Sequence, residues 1–324
     1  MNEKRDAAFN TTGLPGRRLR VLTSILLLGI VGFIAWFFIK RHWGEFVTLV
    51  DLSPGYLVQM SILIVLFQTV LGVKIRAATR AFDVHLAGHQ WFAVAQINSL
   101  LNYLPVRSGP IVSAAYLKNV FDFPYTRYAS VLGAGFVLTV IVFSSMGCLG
   151  IIGMAILGEA MLWEILPIYA VMIAAPLGLF LWMGRNPESI QNRLLVRFRE
   201  GWAVIAGNAM CLGTLIVADC LLVMIDSYRI LLSYRTVGVD IPYLAGWAMI
   251  PLANLAGVLS FVPGGLGVKE GVVGLLSRVA GIGFESGIYA TGIDRVLLMM
   301  WLVILGVASM LTLVLRHGIF HEKS

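Results

Sequence analysis

The chain has 324 residues, 59% of them hydrophobic and only 13% charged, with mean hydropathy +0.87. A soluble domain averages about a quarter charged residues, so the composition excludes one and predicts an all-α integral membrane protein that crosses the bilayer several times. The net charge of +7 does not imply nucleic acid, because the Lys and Arg residues gather in short loops and tails, where they set topology.

A membrane-spanning helix needs about 20 apolar residues. Val21–Ile39, Gly55–Val73, Ile165–Met183 and Val296–Leu315 meet that length. Tyr128–Leu157 exceeds it and is predicted to tilt or bend, and Trp202–Ile225 meets it apart from Asp219. About six full spans are therefore expected. Arg17, Arg18 and Arg20 end a basic tail over residues 1–20; Lys74, Arg76 and Arg80 follow the second span; Arg193, Arg197 and Arg199 precede the fifth. With these on the cytoplasmic side of the cell membrane, both termini are expected inside, and Lys40 and Arg41 are the exception. The twin-arginine-like start is predicted to be an uncleaved span, because its apolar run is too long for a signal core and no small-residue cleavage pattern follows. Residues 184–201 predict an amphipathic interfacial helix capped at Asn186, with Ile190, Leu194 and Phe198 on its apolar face. It separates a first half, 21–183, from a second, 202–315, and residues 316–324 form a tail.

The main organisational signal is an internal repeat. Shifted by 158 residues, Leu86-Ala87-Gly88 falls on Leu244-Ala245-Gly246, Pro105 on Pro263, Gly109 on Gly267 and Leu117 on Leu275. Three full spans lie between the copies, and an odd number of crossings inverts the second. Each copy predicts a helix, a break and a helix: Trp91–Leu104 and Ile111–Val120 around Pro105–Gly109, and Tyr243–Val262 and Val268–Ala280 around Pro263–Gly267. The expected architecture is two opposed re-entrant hairpins, 89–122 and 241–284, within the full spans, with eight or more spans as the alternative.

The breaks concentrate the residues suited to chemistry. A helix that restarts inside the membrane offers unpaired N–H groups to an anion, and Gly109, Gly264, Gly265 and Gly267, with Pro263, shape such starts. Arg107 and Lys269 can add charged contacts. Glu270 adjoins Lys269 but points elsewhere on a helix, so its partner is expected to be Arg107, Arg295 or an ammonium on a substrate. Asp294-Arg295 reads either as an interfacial pair or as part of the site, and Asp219 as a paired or proton-relaying carboxylate. Asn98 and Asn102 put two amides on one helix face, for hydrogen bonding between helices or for the site. Gly147, Gly150 and Gly153 predict close helix packing. Cys148, Cys211 and Cys220 read as small buried residues, and the spaced pairs His85/His89 and His317/His321 lack a third ligand, so no metal or cofactor is expected. Gly264–Gly267 follows an apolar helix and lacks the Lys-Ser/Thr of a nucleotide loop.

Pro263-Gly264-Gly265-Leu266-Gly267-Val268-Lys269-Glu270 resembles the signature of the lysylphosphatidylglycerol synthase transmembrane region, a flippase-like domain family. Asn102-Tyr103-Leu104-Pro105-Val106-Arg107-Ser108-Gly109 resembles its earlier signature, and Arg295 is similar to an Arg in its last region. The resemblance covers about Val21 to Leu315. It departs after Gly109, where the family has Glu and then Arg and this chain has Pro110 and Ser113. Nothing like the family's aminoacyl-transferase domain follows Leu315, so synthase activity is not implied, and with no Ser-His-Asp, Cys-His or paired-carboxylate arrangement evident the chain is not expected to be an enzyme. The resemblance implies a lipid translocase acting on an anionic phospholipid or lipid-linked intermediate. In that reading Arg107, Lys269 and Arg295 hold the anion. The alternatives are a secondary transporter of a small soluble anion coupled through Asp219 and Glu270, or a subunit that positions a lipid-modifying enzyme. A homo-oligomer is compatible with each.

Overall fold

The structure is a computed structural model that describes residues 54–103, 108–159, 162–185, 193–260 and 262–317. Val21–Ile39, Arg107 and the predicted cap Asn186 lie outside the described residues. The described chain is all helical: α1 (Pro54–Arg80), α2 (Gly88–Leu101), α3 (Gly109–Phe121), α4 (Tyr125–Ile156), α5 (Leu166–Arg185), α6 (Arg193–Gly207), α7 (Ala209–Thr236), α8 (Tyr243–Leu259), α9 (Val268–Val279) and α10 (Phe284–His317). Five segments, Pro54–Arg80, Tyr125–Ile156, Trp163–Trp182, Ala209–Thr236 and Phe284–Leu313, are long and apolar enough to cross a membrane. The protein is thus an all-α, multi-pass membrane protein.

The fifth and last spans differ from the sequence expectation in their bounds, and buried charge pairs lengthen both. The fifth span was expected over Trp202–Ile225; α7 instead starts at Ala209, where Asn208 Oδ1 accepts the Cys211 N–H at 3.0 Å and caps the helix. It continues through Asp226 and Arg229 to Thr236 because both charges find partners inside the protein. The last span starts at Phe284, well before Val296, because Asp294 and Arg295 are likewise paired in the interior. The amphipathic helix α6 runs to Gly207, past the expected end at Gly201. Phe180 of α5 stacks on its Phe198 and Trp202, and Gly201 lies against the Ser130 backbone of α4, so the helix is docked onto the bundle.

The glycine stripe of α4 packs as expected. Gly147 faces the Tyr169 ring, and Gly150 and Gly153 face Leu244 of α8. The buried Tyr169 hydroxyl donates to the Ala248 carbonyl at 2.7 Å and accepts the Leu252 N–H at 3.1 Å. Those are the groups that consecutive turns of an unbroken helix would join; Pro251 sits between them inside α8, and the hydroxyl bridges the opened ladder.

The repeat reaches further than the sequence signal. α1, α2, α3 and α4 correspond to α7, α8, α9 and α10, each starting within three residues of the position given by the 158-residue shift. Packing exchanges in the same way: α1 on α2 matches α7 on α8, α2 on α3 matches α8 on α9, and α2 on α10 matches α8 on α4. Three spanning segments separate the two hairpins, from Tyr125 to Thr236. The arms α2, α3 and α9 have 14, 13 and 12 residues. At 1.5 Å per residue these reach about 18–21 Å, short of the ~30 Å hydrocarbon core.

Candidate functional site

The second break is a glycine-built turn. Gly264, Gly265 and Gly267 have φ of 59°, 62° and 80°, the left-handed region that other residues enter at a cost. A Cβ on Gly264 would collide with the Tyr103 ring, and one on Gly265 would lie 2.9 Å from the Gly257 Cα. Glu270, three residues into α9, reaches back and accepts the Gly267 N–H at 2.9 Å. The start of α9 therefore already holds a carboxylate where a free anion site was expected, and part of the role of Glu270 is to close this turn.

The second break touches the end of the first hairpin's leading arm. The Gly264 N–H donates to the Asn102 carbonyl at 2.9 Å, a backbone hydrogen bond between the hairpins, and Tyr103 covers Gly264. In the first hairpin Gly109 sits so close to α2 that a Cβ would strike the Asn98 carbonyl and the Asn102 amide. Beside this junction lies a cavity of about 480 Å³, lined by α1, both hairpins, α4, α7 and α10.

Charge crosses its walls in pairs. Arg229 makes a forked contact with Asp294, Nε to Oδ1 at 2.9 Å and Nη2 to both oxygens at 2.6 and 2.7 Å, and lies over the Phe67 ring. Asp226 receives Lys269 Nζ at 3.1 Å and Asn254 Nδ2 at 2.7 Å, with Arg229 at 3.5 Å. Lys74 Nζ reaches Asp219 at 2.5 Å and Thr139 at 2.5 Å, while Thr139 donates to the other Asp219 oxygen at 3.1 Å. Arg295 Nε stands 2.9 Å from Glu270 Oε1, but too bent for a hydrogen bond, so Glu270 Oε1 and Arg295 Nη1 are buried without hydrogen-bond partners among the described residues. Buried ion pairs of this kind add little net stability against an apolar replacement, yet breaking one costs about 3–5 kcal/mol.

The expected site residues can now be placed. Asn102, Gly264, Lys269, Arg295 and Asp219 line the cavity, and Glu270 lies behind Arg295. Of the foreseen partners of Glu270, Arg295 is the one that faces it among the described residues. The interfacial reading of Asp294-Arg295 fails, because the two residues are 2% and 4% exposed. Asn98 lies behind the cavity wall, its Oδ1 buried and unpaired among the described residues. Arg107 is not among the described residues.

Sequence reasoning missed Lys74, Thr139, Asp226 and Arg229. Lys74 was read as a loop charge, and Asp226 and Arg229 fell just past the expected end of their span at Ile225. The available signal was spacing: Asp219 and Asp226 lie two turns apart and Arg229 one turn further, all on one face of α7.

The family model described as "Lysylphosphatidylglycerol synthase TM region" matches residues 21–306. A protein of Methanothermobacter thermautotrophicus described as a UPF0104 membrane protein is 31% identical over 119 residues. That match covers 36% of this chain and 35% of the relative's length. No solved structure matches at a significant level.

Proposed function

This chain belongs to the lysylphosphatidylglycerol synthase TM region family, and from that premise we propose that it moves the polar headgroup of a membrane lipid between leaflets through the cavity at the two breaks. The observation that carries this reading is the Gly264–Asn102 backbone bond, which joins the second break to the first hairpin beside a charge-lined cavity. A headgroup phosphate is costly in hydrocarbon because its charge has no partner there. Here the phosphate takes the free Arg295 Nη1 and draws Lys269 from Asp226, which keeps Asn254 and Arg229. Glu270, behind Arg295, holds that guanidinium at the cavity wall for the phosphate. Ile111, Val258 and Leu259 near the breaks are 61%, 54% and 61% exposed, an apolar rim for acyl chains that stay in lipid. The arginines at the end of α1 and on α6 face the cytoplasm in this arrangement.

Proteoliposomes with fluorescent phospholipid or polyprenyl phosphate test the proposal. Reduction of the dye from outside reaches inner-leaflet lipid when wild type is present, and Lys269→Ala and Arg295→Ala slow that exchange. Unchanged leaflet asymmetry across several headgroups would falsify it.

A second reading, transport of a small soluble anion, is favoured by the Lys74–Asp219 pair on the cavity wall, since a buried carboxylate there can exchange a proton during transport. Uptake that follows a pH gradient and ignores lipid composition is the outcome that selects it.

A further inference from the structure

We propose that a second pocket, on the outer wall of the bundle where α1 ends and α7 begins, holds the headgroup of an anionic phospholipid. The pocket has a volume of about 500 Å³, and its lining includes Arg76, Arg80, Asp83, Asn208, Met210 and Thr214. Arg76 and Arg80 are one helical turn apart and exposed, and neither guanidinium has a salt-bridge or hydrogen-bond partner among the described residues. They contrast with the cavity cations Lys74, Arg229, Lys269 and Arg295, each of which faces a carboxylate. Asp83 is the one acid in the pocket wall, so Arg76 and Arg80 leave the wall with a net positive charge.

Two further features select a lipid over a free ion. Asn208 is the junction between amphipathic α6 and spanning α7, so the pocket lies at the level of the membrane surface, where headgroups reside. Below it, both walls turn apolar. On α7 the exposed residues Met210, Val217 and Leu221, 78%, 58% and 40% exposed, follow helical spacing down one face. On α1 Val58, Ile62, Leu66 and Val73 form a similar stripe that ends in Arg76 and Arg80. Arginines at one end of an apolar groove match a phosphate joined to acyl chains: the guanidinium fork binds phosphate oxygens and the groove takes the chain. The start of α7 adds its partial positive charge. The lipid at this site stays bound at the surface and is separate from any lipid in the central cavity.

Native mass spectrometry of the purified, delipidated full chain, titrated with dioleoylphosphatidylglycerol or dioleoylphosphatidylcholine, tests the site. The first phosphatidylglycerol adduct is expected to form about tenfold more tightly than the phosphatidylcholine adduct. R76Q/R80Q removes that preference, while R197Q/R199Q, which deletes equal charge from exposed positions of α6, changes it by less than about twofold. Met210→Glu places a negative charge in the pocket without altering α1 and also removes the preference, which covers the case of a misfolded double variant. Lys269→Ala leaves it intact, whatever becomes of lipid exchange. The proposal is overturned by equal affinity for the two lipids, by equal loss in both arginine pairs, by a preference that survives Met210→Glu, or by its loss in Lys269→Ala.

Discussion

Where the second copy has Asp226 held by Asn254 and Lys269, the first has Gln68 beside Gln96 and Ser99, at 3.5 and 3.4 Å. Glu270, Asp294 and Arg295 correspond by the same shift to Val112, Phe136 and Val137. The backbone plan is therefore shared while the charge is not. Among the described residues of the first copy, Lys74 is the charged side chain on the cavity wall, beside polar Gln68, Ser99, Asn102 and Thr139. The difference teaches that two hairpins with one backbone plan carry unlike side chains, with Ile111 and Val112 where the second copy has Lys269 and Glu270. Short second arms and a tight glycine contact are common to both copies, while Lys269 of the second lines the cavity.

Substitutions can break this comparison, starting with the largest expected effect. Arg229→Ala leaves Asp294 buried without its fork and is expected to cost about 3–5 kcal/mol, while replacing both residues with Met recovers much of the loss. Thermal unfolding in detergent measures both variants, and equal stability of R229A and wild type would refute the pairing argument. Gly264→Ala forces a left-handed φ on a residue with a Cβ and drives it into Tyr103; roughly 1–2 kcal/mol is lost to the backbone alone. Gly109→Ala is expected to cost a comparable amount by collision with Asn98 and not by φ. Gly267→Asn separates the two causes, because Asn tolerates the left-handed region and nothing crowds that position.

Smaller effects sharpen the asymmetry. Lys269→Ala is expected to slow lipid exchange about tenfold with little change in unfolding temperature, since Asp226 keeps Asn254 and Arg229. Ile111→Ala, at the equivalent place in the first copy, leaves exchange within about twofold; a similar slowing in both would show that charge is not the relevant difference. Thr139→Val removes one hydrogen bond from Asp219 and is expected to cost about 1 kcal/mol, read from the same unfolding curves.

Much of the architecture was legible in the chain itself. Apolar run length marked α1, α4 and α5, and the Pro-x-x-x-Gly breaks and the 158-residue shift marked both hairpins, because helix length and broken backbone are local properties. The conformation at Gly264, Gly265 and Gly267 was legible for the same reason: only glycine takes those angles cheaply. Which charges meet was decided by tertiary structure alone. Lys74 and Asp219 are 145 residues apart, and Arg229 and Asp294 65 apart, so nothing in their neighbourhoods announces the pairing. Those pairs also moved the ends of α7 and α10, because a charge ends a membrane helix only when it lacks a buried partner, and partners come from other helices.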